Sequence, residues 1–179
     1  IAADGKSGDG CGLLMKRPEA FLRAVATDSG LQLGARFAVG MVFMNQEADV
    51  ASTTRARLEA ELERVGLAVA GWRPVPTDGS ACGAEALRTV PRIEQVFVNA
   101  TEAVPTDDAF ERQLFVARRR AELGLETTDP AFYVASLSTR VISYKGLVMP
   151  DGLPVFYSDL QDERLASSLC VFHQRFSTN

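Results

Sequence analysis

The sequence has few of the side chains on which metal centres depend. Its 179 residues include one histidine, His173, and only three cysteines, at positions 11, 82 and 170. Cys170 and His173 form a Cys-x-x-His half-site, but no second pair could complete a tetrahedral metal site. We therefore expect no metal site. An odd number of cysteines without a secretion signal favours reduced thiols in the cytoplasm.

Motifs for membranes, nucleotides and nucleic acids are also absent. No apolar run approaches the roughly 18 residues of a membrane span, and the first ten residues lack the pattern of a signal peptide. There is no GxxxxGK[ST] loop, and GKSGDGCG precedes its strand, the reverse of the phosphate-binding order. The net charge is −4, and the basic cluster at 118–120 lies inside an amphipathic segment. We expect neither a membrane nor a nucleic-acid partner.

The remaining pattern predicts a single domain with mixed helices and strands. Helices are expected over 18–29, 47–65, 107–124 and 153–160, with a short one near 80–90. Strands are expected over 11–15, 36–45, 67–72 and 92–100, with a hairpin around residues 138–139 and a final buried strand over 167–176. Residues 1–10 read as a loop. This interleaving favours a layered α+β fold.

Two segments carry candidate chemistry. In GDGCGLLMK (8–16), Cys11 is either a nucleophile or a small buried residue. Any Cys–His or Ser–His pair must use His173, with Cys11 if the first and last strands are adjacent, or with Ser177. In HQRFSTN (173–179), Arg175 could hold a carboxylate through bidentate hydrogen bonds, or form a salt bridge within the fold.

Four segments in order resemble one known family. ADGKSGDGCGLLM, PRIEQVFVNA, FYVASLSTRVISYKGLVMP and VFHQRFSTN are similar to the amidotransferase domain of the large subunit of bacterial glutamate synthases. HQRFSTN is the most specific of them, because class II glutamine amidotransferases carry a related His-x-Arg-aromatic-Ser-Thr pattern. The likeness covers essentially the whole chain.

The resemblance implies a four-layer αββα N-terminal-nucleophile hydrolase fold, incomplete at both ends, with residues 1–179 as part of one domain. It implies hydrolysis of L-glutamine to glutamate and ammonia by an N-terminal cysteine expected upstream of Ile1, so that no catalytic residue lies in this chain. Arg175 would bind the glutamine α-carboxylate, and Ser177 and Thr178 would order the loop or contact the substrate. In this family the histidine at the position of His173 is not a catalytic base.

For the whole enzyme the resemblance implies FMN and an iron–sulfur cluster, with no cofactor in this part of the chain. Its partners would be the remaining domains of the same polypeptide and a small electron-donating subunit. The ammonia would be used to convert 2-oxoglutarate to glutamate. We expect the chain alone to be inactive.

Two other interpretations stay open from the residues. The chain could be a non-catalytic module that keeps the amidotransferase fold for ligand binding or subunit contact. It could also be a stand-alone cysteine hydrolase that uses Cys11 and His173, in which case Cys11→Ser would abolish activity.

Overall fold

The computed structural model describes residues 7–174 and the side chains of residues 10–174. Its strands are β1 (Ser7–Lys16), β2 (Phe37–Met44), β3 (Ala68–Pro74), β4 (Arg92–Asn99), β5 (Tyr133–Ser138), β6 (Val141–Val148) and β7 (Cys170–His173). Its α-helices are α1 (Glu19–Asp28), α2 (Ala48–Arg64), α3 (Ala84–Thr89), α4 (Asp107–Leu125) and α5 (Leu153–Phe156). Short 3₁₀ turns cover Gly79–Ala81, Pro150–Gly152 and Ser158–Gln161.

The chain forms two compact units. The terminal unit consists of Ile1–Leu22, Val75–Val90 and Ser143–Asn179, and the central unit of Arg23–Pro74 and Pro91–Ile142. Each unit has its own sheet. The combination of helices with antiparallel sheets confirms the α+β class.

The central unit is built on a four-stranded antiparallel sheet in the order β3-β4-β2-β5. Helices α2 and α4 cover one face of it because each presents an apolar stripe at helical spacing. On α4 the stripe consists of Phe110, Leu114, Ala117 and Ala121, which are all buried. Thr106 caps this helix by accepting a hydrogen bond from the Ala109 N–H. None of the described helices is long and apolar enough to cross a membrane.

The terminal unit is built on a three-stranded sheet in the order β6-β1-β7. β1 and β7 are antiparallel, with Gly12 opposite His173 and Met15 opposite Cys170. The prediction of a loop over residues 1–10 is wrong for 7–10, which belong to β1; the first six residues lie outside the described part. The glycine-rich sequence suits this strand at Gly10, whose φ of 101° is readily adopted only by glycine.

The predicted hairpin around residues 138–139 is wrong. β5 pairs with β2 in the central sheet, whereas β6 joins β1 in the other sheet. The reason is a carboxylate on α4: Glu111 accepts hydrogen bonds from the hydroxyls of Ser138 and Thr139, and from the Thr139 N–H at 2.6 Å. These contacts tie the connection to α4 instead of letting it form a tight turn.

The prediction of a buried final strand is also wrong. All four residues of β7 are exposed, and the Phe172 side chain is 79% exposed. β7 is an edge strand, which pairs only with β1 in the described sheet. The apolar sequence of β7 therefore does not correspond to a buried strand.

Truncation of a core aromatic should destabilise the protein strongly. Phe110 is fully buried in the cluster between α2, α4 and the central sheet. We expect Phe110→Ala to lower the free energy of unfolding by about 3–5 kcal/mol, because the cavity adds to the lost apolar transfer energy. Denaturant titration measures this. Phe115→Ala is the matched control, since Phe115 lies on the same helix and is 63% exposed; equal losses in both variants would contradict the packing described.

Candidate substrate site

The predicted substrate residues Arg175, Ser177 and Thr178 lie outside the described residues. The structure does describe the start of their motif, His173 at the end of β7, followed by Gln174. The site can therefore be built from the strand that leads to these residues and from what that strand contacts.

His173 lies against the bare backbone of Gly12. A Cβ atom added to Gly12 would be 2.5 Å from His173 Cε1 and 3.1 Å from both His173 Nδ1 and Lys145 Cβ. Real Cβ atoms do not approach neighbours this closely, so the glycine leaves the space that the imidazole occupies. The first and last strands are thus adjacent, which sequence reasoning considered but could not establish.

Cys11 does not share this face of the sheet. Successive side chains of a strand point to opposite faces, so Cys11 points away from the face on which His173 covers Gly12. The thiol is buried, and burial followed by the nearby charge of Asp151 raises its pKa above the ordinary cysteine value. A protonated thiol is a poor nucleophile. The structure therefore argues against the Cys11–His173 hydrolase.

A cavity of about 630 Å³ adjoins β1 and β7 in the terminal unit. This volume is within the usual range of small-molecule sites. Its wall is mostly apolar, from residues such as Met15, Leu153 and Leu160, and its polar contributors are Cys11, Ser167, Cys170 and His173. No group of three or more His, Cys, Asp or Glu side chains within residues 7–174 could hold a metal ion.

The tyrosine of the YKG segment belongs to a buried polar network. Tyr144 donates a hydrogen bond to Asp159 at 3.1 Å, and Tyr157 donates one to the backbone oxygen of Lys145 at 2.8 Å. The two rings pack edge to face with centroids 5.1 Å apart. Burial raises the pKa of Tyr157, so its phenol stays protonated and keeps donating. The network fixes β6 against the 157–159 segment.

Sequence reasoning missed Tyr157 and Asp159. It placed both in one short helix over 153–160, whereas α5 ends at Phe156 and a 3₁₀ turn follows. The available signal was an acidic residue within an aromatic-rich segment. A buried carboxylate needs a donor, and Tyr144 is that donor.

The comparisons with known proteins agree on one family. The chain matches the class II glutamine amidotransferases over residues 1–179. It is 41% identical over 177 residues to the NADPH glutamate synthase large chain of Bacillus subtilis (strain 168). That alignment covers 99% of this chain and 12% of the Bacillus subtilis protein. The chain is 38% identical over 184 residues to the corresponding large chain of Azospirillum brasilense, covering 100% of this chain and 12% of that protein.

A plant relative gives a similar match. Ferredoxin-dependent glutamate synthase 1 of Arabidopsis thaliana is 36% identical over 181 residues, covering 99% of this chain and 11% of that protein. The chain therefore spans 11–12% of the length of these curated relatives.

The three thiols should differ in reactivity. Cys170 is exposed, whereas Cys11 and Cys82 are buried and burial raises the pKa of both. We expect brief treatment with iodoacetamide at pH 8 to modify Cys170 first, because few of the buried thiols are ionised or accessible. Peptide mass mapping measures the order, with denatured protein as the control in which all three react. Modification of Cys11 as fast as Cys170 would contradict its assignment as a buried residue.

The contact between Gly12 and His173 can be tested with a double-mutant cycle. Gly12→Ala should lower the free energy of unfolding by about 1–3 kcal/mol, because the new methyl group overlaps the imidazole. Combining it with His173→Ala should recover part of this loss, although Lys145 Cβ still crowds the position. Denaturant unfolding of both single variants and the double variant gives the coupling. Strictly additive losses would show that the two residues do not touch.

Proposed function

The chain belongs to the class II glutamine amidotransferases, and from this premise we propose that it is part of the glutaminase domain of a glutamate synthase large chain. The observation that carries the proposal is the match to this family over residues 1–179, together with 36–41% identity to glutamate synthases of two electron-donor types. The whole enzyme would hydrolyse L-glutamine to glutamate and ammonia. The ammonia, together with two electrons and two protons supplied through the electron-donating partner, would convert 2-oxoglutarate to glutamate and water. The comparisons do not favour the non-catalytic module.

In the proposed reaction, a thiolate attacks the carboxamide carbon of glutamine and ammonia leaves from the tetrahedral intermediate. Water then cleaves the thioester to give glutamate and restore the thiol. We assign the nucleophile to an N-terminal cysteine outside this chain. The burial of Cys11, which raises the pKa of its thiol, supports that assignment, as does its position on the sheet face opposite His173.

Arg175 is the proposed ligand of the glutamine α-carboxylate, with Ser177 and Thr178 in the same loop. The structure supports a site in this region in two ways. His173, two residues before Arg175, is held against Gly12, and an open cavity adjoins the same pair of strands. A guanidinium can hold a carboxylate with two charge-assisted hydrogen bonds. His173 then has a packing role, consistent with the family pattern in which it is not a base.

We further propose that residues 1–179 form part of a single four-layer αββα domain that works in the cytoplasm. FMN and an iron–sulfur cluster are implied for the whole enzyme. Within residues 7–174 no group of three or more His, Cys, Asp or Glu side chains could hold the iron of such a cluster. We assign both groups to other parts of the polypeptide and derive no step through them. The remaining domains and a small electron-donating subunit are the proposed partners.

Arg175→Ala in the whole enzyme should raise the KM for glutamine by at least tenfold, because a charge-assisted hydrogen bond contributes about 1.5–3 kcal/mol. Synthesis of glutamate from added ammonia should be unchanged. Steady-state assays with each nitrogen source measure the two activities. Arg164→Ala is the control, since Arg164 is exposed and pairs with Asp162 in its own turn at 2.7 Å. If both activities of Arg175→Ala fell together, the arginine would have a structural role instead.

A further inference from the structure

A cluster of arginines lies on the outer surface of the α2–α4 helix pair, in the central unit. Arg57 and Arg64 of α2 and Arg120 of α4 line a surface depression of about 500 Å³, together with Glu61, Leu123 and Gly124. Residues 57, 61 and 64 share one face of α2 because they are separated by four and three positions. The proposed glutamine site, in the terminal unit, uses none of these side chains.

A buried carboxylate organises this cluster. The Glu61 side chain is completely buried, and its Oε1 is 3.1 Å from Arg57 Nη2 and 3.4 Å from Arg64 Nη1. Within the described part of the chain, neither oxygen of Glu61 accepts an aligned hydrogen bond. Its contacts with the two guanidinium groups are therefore ionic. An uncompensated buried carboxylate is costly, so Glu61 holds both arginines close to the depression.

The cluster has more donors than its own acceptor can use. Arg120 forms no ion pair or hydrogen bond with the residues that the structure describes. Three guanidinium groups face one carboxylate, which leaves a net charge of +2 at the depression. Each guanidinium carries five N–H donors and no acceptor. The excess of positive charge and of N–H donors therefore suits a dianionic ligand with several oxygen atoms, and it disfavours a cation.

Gly124, near the end of α4, leaves the space in which the Arg57 guanidinium packs. A Cβ atom at this position would be 2.7 Å from Arg57 Nη2, 2.9 Å from its Nε and 3.0 Å from its Cζ. The guanidinium therefore packs directly on the bare helix backbone. A glycine in a helix costs stability relative to alanine, and here its absence of a side chain is what lets Arg57 reach the depression.

We propose that Arg57, Arg64 and Arg120 form a binding site for a small dianionic oxyanion, such as phosphate or a dicarboxylate. The planar forks of the three arginines match the geometry of phosphate and carboxylate oxygens. Glu61 is a positioning residue that orients Arg57 and Arg64 without contacting the ligand. Phosphate and a dicarboxylate would be bound by the same guanidinium groups, and separate titrations distinguish the two ligands.

The test is isothermal titration calorimetry of the full-length polypeptide at low ionic strength, with inorganic phosphate and with succinate in separate experiments. We expect at least one of them to bind and Arg120→Gln to weaken that binding about tenfold, since it removes one charge-assisted contact. Arg112→Gln is the matched control, because Arg112 lies on the same helix but does not line the depression. Absence of binding by both anions, or equal weakening by the control, would overturn the proposal.

Gly124→Ala gives a second variant, which tests Arg57 at the position where its guanidinium packs on the helix backbone. Unfolding experiments accompany the titration, because the higher helix propensity of alanine and the weakened Arg57–Glu61 ion pair change the stability in opposite directions. Its methyl group displaces Arg57, and anion affinity should fall several-fold. Unchanged affinity in a stably folded Gly124→Ala protein would overturn the role of Arg57 in the site.

Discussion

The antiparallel pairing of β1 with β7 is the interaction on which the candidate substrate site depends. It joins Gly12 to His173 across the sheet, and it is possible only because Gly12 has no side chain to exclude the imidazole. The same pairing puts Cys11 on the opposite face, where burial raises the pKa of its thiol. One backbone register therefore holds the start of the HQRFSTN segment against Gly12 and places Cys11 and His173 on opposite faces of the sheet.

Sequence patterns predicted the elements whose stability is mainly local. Helices α2 and α4 are expected from apolar periodicity, and both bury an apolar stripe that includes Leu58 and Leu62 on α2 and Phe110 and Leu114 on α4. The hairpin failed because a distant residue decides the path of the chain: Glu111 holds Ser138 and Thr139 through their hydroxyls. Turn-like composition near residue 138 gave no sign of that carboxylate, which lies 27 positions earlier.

The candidate site could be predicted only in part. Arg175 stays a prediction from a specific, contiguous motif, because it lies outside the described residues. The position of His173 over Gly12, and the pairing of Tyr144 with Asp159, depend on strand register and on contacts between separate segments. Composition was likewise misleading for the first and the last strand in sequence, β1 and β7. Glycines in residues 7–10 indicated a loop, yet β1 is the central strand and is supported by a neighbour on each side.

The arrangement of the two units has a consequence for synthesis on the ribosome. Every residue of the central unit has been translated once Ile142 is reached, whereas the terminal unit needs both the first strand and the last. Pairing Gly12 with His173 closes a loop of about 160 residues, which is entropically slow compared with local contacts. β1 must therefore wait for its edge partner while most of the chain emerges. A nascent chain stalled before residue 170 would contain every residue of the central unit, together with a glycine-rich first strand that has β6 but lacks β7, its other neighbour.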